Sequence, residues 1–312
     1  MSKTPIPAAG PAAGPSADRP VAGALWMLAS GLSFIAVNGI VKYLGTALPA
    51  AEGAFLRYVL GLVFLIPMLR PLLRARITPR QLGLFAGRGL MHALAVILWF
   101  FAMARIPIAE VQAINYLSPV LVTVGAAIFL GERLAFRRIA AVVVAMLGVL
   151  IILRPGIQAV GPGETAMLFV AVLFAGSYLT AKKLTSFAAP PVIVAMLSIW
   201  VTICLAPFAI AVWRAPTMGE VGLLFVTAGF ATMGHLCMTH AFRLAPVTVT
   251  QPVTFLQLLW GTLLGVIFFA EPVDVYVIGG GLLIISAIAF ITWREAVLNR
   301  RGITPPVGAT EV

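Results

Sequence analysis

The chain has 312 residues, 61% of them hydrophobic and only 10% charged, with a mean hydropathy of +1.07, whereas soluble domains carry about 25% charged residues. That composition excludes a soluble globular enzyme or binding module and makes the chain an integral membrane protein. The formal net charge of +11 would suggest nucleic acid in a soluble protein, but the positions of the charges assign it to membrane topology, and no nucleic-acid partner is expected.

Residues 1–20, MSKTPIPAAGPAAGPSADRP, hold no apolar core and read as a disordered tail, neither signal peptide nor span. A hydrocarbon core of about 30 Å needs about 20 apolar residues per helix. Ten such runs follow, near 21–43, 49–69, 81–104, 110–130, 134–154, 162–184, 190–213, 218–242, 247–270 and 272–293. Residues 155–161 read as a linker, and residues 294–312 as a short, polar, basic tail without structure of its own. Cys204 and Cys237 both fall inside spans, so no disulfide framework is read from them.

On this layout Lys3, Arg19, Arg70, Arg74, Arg76, Arg80, Arg133, Arg137, Arg138, Lys182, Lys183, Arg243, Arg294, Arg300 and Arg301 share one side. Arg105, Arg154 and Arg214 occupy the other. The positive-inside rule makes the first side cytoplasmic, with both termini inside, in a bacterial inner (plasma) membrane.

The chain also repeats. A shift of 139 residues places Pro107 on Pro246, Gln112 on Gln251, Phe129 on Phe268 and Glu132 on Glu271; one more residue of shift places Lys42 on Lys182 and Pro67 on Pro207. Each half therefore holds five spans, 21–154 and 162–293. An odd number of spans makes the second half enter the membrane in the opposite sense. The expected fold is an all-α polytopic membrane protein of ten transmembrane helices in two inverted five-helix repeats.

The inversion explains a contrast between two turns. Glu132 is followed by Arg133, Arg137 and Arg138, which hold its turn inside, whereas Glu271 is followed by no arginine in a turn on the outer face. The carboxylate is the element the repeats share. It is read as a cap for the N-terminus of the helix that follows it, in preference to a transport role.

Ten spans in two inverted halves, the Gly131-Glu132-Arg133-Leu134 turn and its Ala270-Glu271-Pro272 echo, together with Leu117-Ser118-Pro119 and Leu153-Arg154-Pro155-Gly156, resemble the drug/metabolite transporter superfamily and its EamA-type members. The resemblance spans residues 21–293 and implies a transporter of a small organic solute. Similar proteins move amino acids, nucleotide-like metabolites, vitamins such as riboflavin, or S-adenosylmethionine. Export of amino acids or drug-like compounds is the alternative, with a channel or an integral membrane enzyme behind it.

Charges near the bilayer centre are unfavourable by about 2.5–3.5 kcal/mol on insertion scales, so polar residues inside spans are the site candidates. These are Arg57 in span 2, Arg88 and His92 one turn apart in span 3, and His235 in a stripe with Thr232 and Thr239 in span 8. Gln112, Asn115, Tyr116 and Ser118 enrich span 4, and Gln251, Thr254 and Gln257 enrich span 9. Each has a second reading. Arg57 and Arg88 could snorkel to an interface, which is the favoured account of Lys42, and His92 and His235 could bond helix to helix.

Pro119 and Pro252 interrupt spans 4 and 9, displacing the carbonyls of Asn115 and Thr248. Freed carbonyls inside a membrane need protein or a watery cavity, which marks these spans as cavity linings. Gly261, Gly265 and Gly279 to Gly281 are read as close helix packing. No HExxH, GxxxxGK[ST] or paired acid and base is present, and Glu52, Glu110, Glu132, Glu164, Glu220, Glu271 and Asp274 lie at span ends or in loops. No enzyme activity, metal or other cofactor is therefore expected. The partners are the bilayer and a small-molecule substrate. The candidate cavity is basic and without a carboxylate, which favours anionic, zwitterionic or neutral polar solutes over hydrophobic cations.

Overall fold

The computed structural model describes residues 20–118, 120–121, 136–155, 159–184, 187–244, 253 and 256–303. Among these the chain is helical, and one helix corresponds to each predicted span. They are α1 (Pro20–Leu44), α2 (Ala50–Gly61), α3 (Pro79–Met103), α4 (Ile108–Asn115) and α5 (Phe136–Leu153) in the first half. The second half holds α6 (Pro162–Leu184), α7 (Pro190–Ala211), α8 (Met218–Leu244), α9 (Leu256–Phe269) and α10 (Val275–Ile303). Among the described residues, six segments are long and apolar enough to cross a membrane, and Ile139–Leu153, Leu256–Phe269 and Val275–Phe290 are shorter apolar helices.

Local chemistry sets the ends of these helices. Thr78 caps α3 reciprocally with Gln81: its hydroxyl accepts from Gln81 N at 3.4 Å and its own N–H donates to Gln81 Oε1 at 2.9 Å, with Pro79 opening the first turn. Proline also opens α6 and α7. Beyond α2 the chain tightens into a 3-10 stretch, Leu62–Met68, before one more helical segment, Leu69–Arg74. Pro67 lies inside the tightened stretch and cannot donate to the ladder. Its counterpart Pro207 lies inside α7, which stays α-helical, so the two repeats accommodate the same proline differently.

Helix packing carries the inverted symmetry. The pair α1 and α8 is matched by α6 and α3, the pair α3 and α7 by α8 and α2, and α1 and α9 by α6 and α4. The pairs α2 with α7, α4 with α9 and α5 with α10 each map onto themselves when the halves are exchanged. All of these pairs join opposite halves, so the core is an interface between the repeats. With lipid outside there is little hydrophobic drive to pack, and close approach of small residues takes over. A Cβ on Gly148 would lie 2.7 Å from the Gly280 carbonyl, and one on Gly280 would lie 2.6 Å from the Gly148 carbonyl. There α5 and α10 meet backbone to backbone. Gly261 abuts Gln112, and Gly281 abuts Leu258 and Ala113, whereas Gly279 has nothing within 4 Å, so the packing reading does not extend to it.

One expectation needs correction at the C-terminal end. Residues from Arg294 were expected to be irregular, yet α10 runs on to Ile303. Leu, Ala, Glu and Arg are good helix formers, and no proline intervenes before Pro305. The segment continues as helix after it stops being apolar.

Candidate functional site

Four helices bring polar side chains to one place inside the bundle: α2, α3, α6 and α8. His92 of α3 is the hub. Its Nε2 lies 3.1 Å from the Tyr58 hydroxyl of α2 and its Nδ1 lies 3.3 Å from the Ser177 hydroxyl of α6. Phe174 and Tyr178, one turn apart on α6, stack at 5.8 Å, and Phe174 approaches the His92 ring at 5.0 Å. Arg57 sits over the Tyr58 ring at 4.8 Å. His235 of α8 meets Phe34 of α1 edge-on at 5.1 Å.

The electrostatics of this cluster are one-sided. The charged groups within range of His92 are Arg88, His235 and Arg57, and those acting on Arg88 are the hydroxyl groups of Tyr178 and Tyr58. Arg88 and His92 are 7% and 8% exposed, so neither snorkels. Arg88 Nε and Nη1 and Arg57 Nε are buried without a hydrogen-bond partner among the described residues. A buried guanidinium without an acceptor is unfavourable by several kcal/mol.

The sequence candidates of spans 4 and 9 form a second group, at the crossing of α4 and α9. Gln112 donates to Gln257 across the crossing at 3.4 Å, and Gln257 also packs where a Cβ on Gly31 of α1 would stand, 3.5 Å away. The Tyr116 hydroxyl meets the backbone of Leu258. Asn115 Oδ1 and Ser118 Oγ are buried without partners among the described residues. Helix α4 ends at Asn115, four residues before Pro119. Pro119, Gln251, Pro252, Thr254 and Glu132 lie outside the described residues, as does the side chain of Thr239. Thr232 donates to its own helix at Ala228 O, 2.9 Å away, and adds nothing to the His235 face.

Charges at the end of the bundle with few arginines are arranged in the opposite way. Lys42 does not snorkel: its Nζ lies 2.8 Å from Glu271 Oε1 and donates to the Ile106 carbonyl at 2.7 Å. Glu271 Oε2 accepts from the backbone N–H of Ile108 at 2.9 Å. The carboxylate therefore caps α4, in the other repeat, and not α10, the helix that follows it. Asp274 does that local work, accepting from Tyr276 N at 2.8 Å while pairing with Arg154. Glu271 reaches across because Ala270 adopts a left-handed φ of 52°, and Glu271 N then bonds back to Gly265 O at 3.0 Å. A left-handed residue just past the last turn is a common helix stop, here with alanine where glycine is the common choice. Arg214 pairs with Glu220, and its backbone N–H donates to the fully buried Glu52 at 3.0 Å.

Sequence reasoning named Arg57, Arg88, His92 and His235, and the structure brings them together. It did not name Tyr58, Phe174, Ser177 or Tyr178 as site residues. The 174, 177, 178 spacing on one helix face was the available signal. Cavities of about 220 Å³ beside Arg74, Arg76 and Phe187, and about 100 Å³ beside Gly45, Pro49 and Arg105, lie apart from the cluster.

Residues 21–154 and again 161–293 match the EamA-like transporter family. The chain belongs to that family. It is 32% identical to a riboflavin transporter of Rhizobium johnstonii, covering 91% of this chain and 95% of the relative. It is 26% identical to an S-adenosylmethionine uptake transporter of Rickettsia bellii over 86% of this chain and 93% of the relative. A pseudopaline exporter of Pseudomonas aeruginosa shares 27% identity over 85% and 94%. One solved crystal structure superposes with a TM-score of 0.59 at 20% identity, covering 91% of this chain and 98% of the solved one, a likeness of fold. The protein is a membrane transporter of small metabolites.

Proposed function

We propose that the cluster on α2, α3, α6 and α8 is the solute site, and that the two repeats exchange roles to expose it alternately to either side of a bacterial inner membrane. The basic loops and both termini face the cytoplasm, and residues 21–154 and 162–293 act as the two moving units. The observation that carries this reading is the convergence of Arg57, Arg88, His92 and His235 from three helices to within electrostatic range of one another, with Arg88 and His92 buried. Two of these helices belong to the first repeat (α2 and α3) and one to the second (α8), with α6 of the second supplying Ser177, Phe174 and Tyr178. A site shared by both halves is what alternating access requires.

The solute is polar, carrying a negative charge, both charges or none, and the aromatic walls suit a flat ring such as that of riboflavin, named for one relative. The group at Gln112, Asn115, Tyr116 and Gln257 forms a second wall, to which the sequence adds Gln251, Pro119 and Pro252 as candidates. Reconstituted protein should show saturable solute flux with counterflow, falling sharply in Arg57→Ala and His235→Ala at matched incorporation. Exchange of lipophilic cations that survives both substitutions would contradict the assignment. Net export is a second reading, favoured by the likeness to a pseudopaline exporter; loading the solute on one side and then the other distinguishes the directions.

A further inference from the structure

The buried arginines narrow the solute further, on an argument that rests on the cluster being the solute site. We propose that the solute is an organic anion whose negative group is held by Arg88 and Arg57 while its ring lies among Tyr58, Phe174 and Tyr178.

The argument is one of missing counter-charge. Arg88 is 7% exposed and two of its nitrogens have no acceptor among the described residues. Arg57 Nε is likewise buried and unsatisfied. No acidic side chain that the structure describes pairs with Arg88 or Arg57. Glu271 holds Lys42, Asp274 holds Arg154, Glu220 holds Arg214, and Glu52 accepts from the Arg214 backbone. Glu110 lies among Glu164, Asp274 and Arg154, with its Oε1 buried and without a hydrogen-bond partner among the described residues. The remaining acids, Asp18, Glu132, Glu295 and Glu311, lie outside the predicted spans, in tails or a turn.

Among the described residues, the ionisable groups in electrostatic range of Arg88 are therefore phenolic, Tyr58 and Tyr178, or basic, His92 and His235. Phenol and serine hydroxyls can orient an anion but cannot neutralise a guanidinium. A carboxylate or phosphate on the solute can, through paired N–H···O bonds that suit the planar fork of arginine. Phe174 and Tyr178 stack at 5.8 Å and Arg57 lies over Tyr58, which places aromatic surface beside the same guanidinium groups. A ring with an anionic arm matches both features.

Two matched pairs of probes test this on full-length protein in lipid nanodiscs: riboflavin against riboflavin 5′-phosphate, and nicotinamide against nicotinate. Each pair keeps the ring and changes the charge. The anion of at least one pair should bind more tightly than its neutral partner, on the order of tenfold. Arg88→Gln and Arg57→Gln should each reduce that preference, whereas Arg88→Lys, which keeps the charge and loses the fork, should retain part of it. Melting temperatures of the unliganded variants identify any that fail to fold, and Arg88→Lys then stands in for Arg88→Gln.

No preference for the anion in either pair, including no binding up to millimolar concentration, overturns the inference. So does a preference that survives both Gln substitutions. The underlying site assignment fails differently: ligand binding would be unchanged in Arg57→Gln, Arg88→Gln and His235→Ala alike. Neutral and anionic probes that bind equally, and that all three substitutions weaken equally, overturn the charge inference and leave the site standing.

Discussion

Lys42 and Arg88 are both basic residues in a membrane protein, and the molecule treats them in opposite ways. Lys42, at the end of α1, has a carboxylate, Glu271, at 2.8 Å and a carbonyl at 2.7 Å, and the same carboxylate caps α4 across the repeat boundary. Arg88, deep in α3, has two nitrogens with neither acceptor nor counter-charge among the described residues. A paired buried charge fastens helices together and is strongly destabilising to break, while an unpaired one weakens the fold. On the proposed site, the contrast separates residues that build the transporter from residues that serve its solute.

The largest effect should come from breaking the pair. Glu271→Gln leaves Lys42 without its counter-charge and weakens the α4 cap, and should destabilise the protein by about 2–4 kcal/mol. Lys42→Met combined with Glu271→Gln should be less damaging than Glu271→Gln alone, because no charge is left stranded. Chemical denaturation in detergent micelles measures both. Equal stability of Glu271→Gln and the native protein would show that the pair is an accessory of the fold.

Next in size is the backbone contact between the repeats. Gly148→Val forces a branched side chain toward Gly280 O and Ile284, where a single Cβ already comes within 2.7 Å, and should destabilise by about 1–3 kcal/mol. The same substitution at Gly279, which has nothing within 4 Å, should leave packing undisturbed and lose nothing beyond helix propensity. Matching losses at the two positions would show that the Gly148 contact does not bear on stability.

Smaller still is relief at Ala270. Its φ of 52° is left-handed, a region unfavourable by roughly 1–2 kcal/mol for a residue with a Cβ. Ala270→Gly should raise stability by up to about 1 kcal/mol, since glycine also gives more freedom to the unfolded chain. The first repeat already carries glycine at the corresponding position, Gly131. A fall in stability on this change would place the origin of the turn elsewhere.

Much of this organisation is legible in the sequence because the bilayer imposes simple rules. Apolar runs near 20 residues announce helices, and the shift that places Glu132 on Glu271 announces the repeat, whose consequence is the exchange-symmetric pairing of α1 with α8 and α6 with α3. Arg57, Arg88, His92 and His235 stand out because a charge inside an apolar run is unfavourable enough to need a reason. Tyr58, Phe174 and Ser177 do not stand out, since aromatic and small hydroxyl side chains enter membranes at little penalty. The Glu271 cap was misplaced for another reason. A nearby helix start is the natural guess for a carboxylate in a turn, whereas Ile108 is 163 residues away in sequence and becomes a neighbour only once the repeats interlock. Lys42 was read as snorkelling on the same ground, its partner being visible only in three dimensions. The continuation of α10 past Arg294 was hidden by polarity, which signals the end of a membrane span and says nothing about the end of a helix.

The central claim is that unpaired intramembrane charge serves the solute while paired charge holds the fold. Arg88→Gln in proteoliposomes, with flux of riboflavin 5′-phosphate and melting temperature measured on the same preparation, tests it most directly. The account predicts flux reduced on the order of tenfold with a melting temperature equal to or above that of the native protein. Flux that persists unchanged, or flux that falls only in step with the melting temperature, would contradict it.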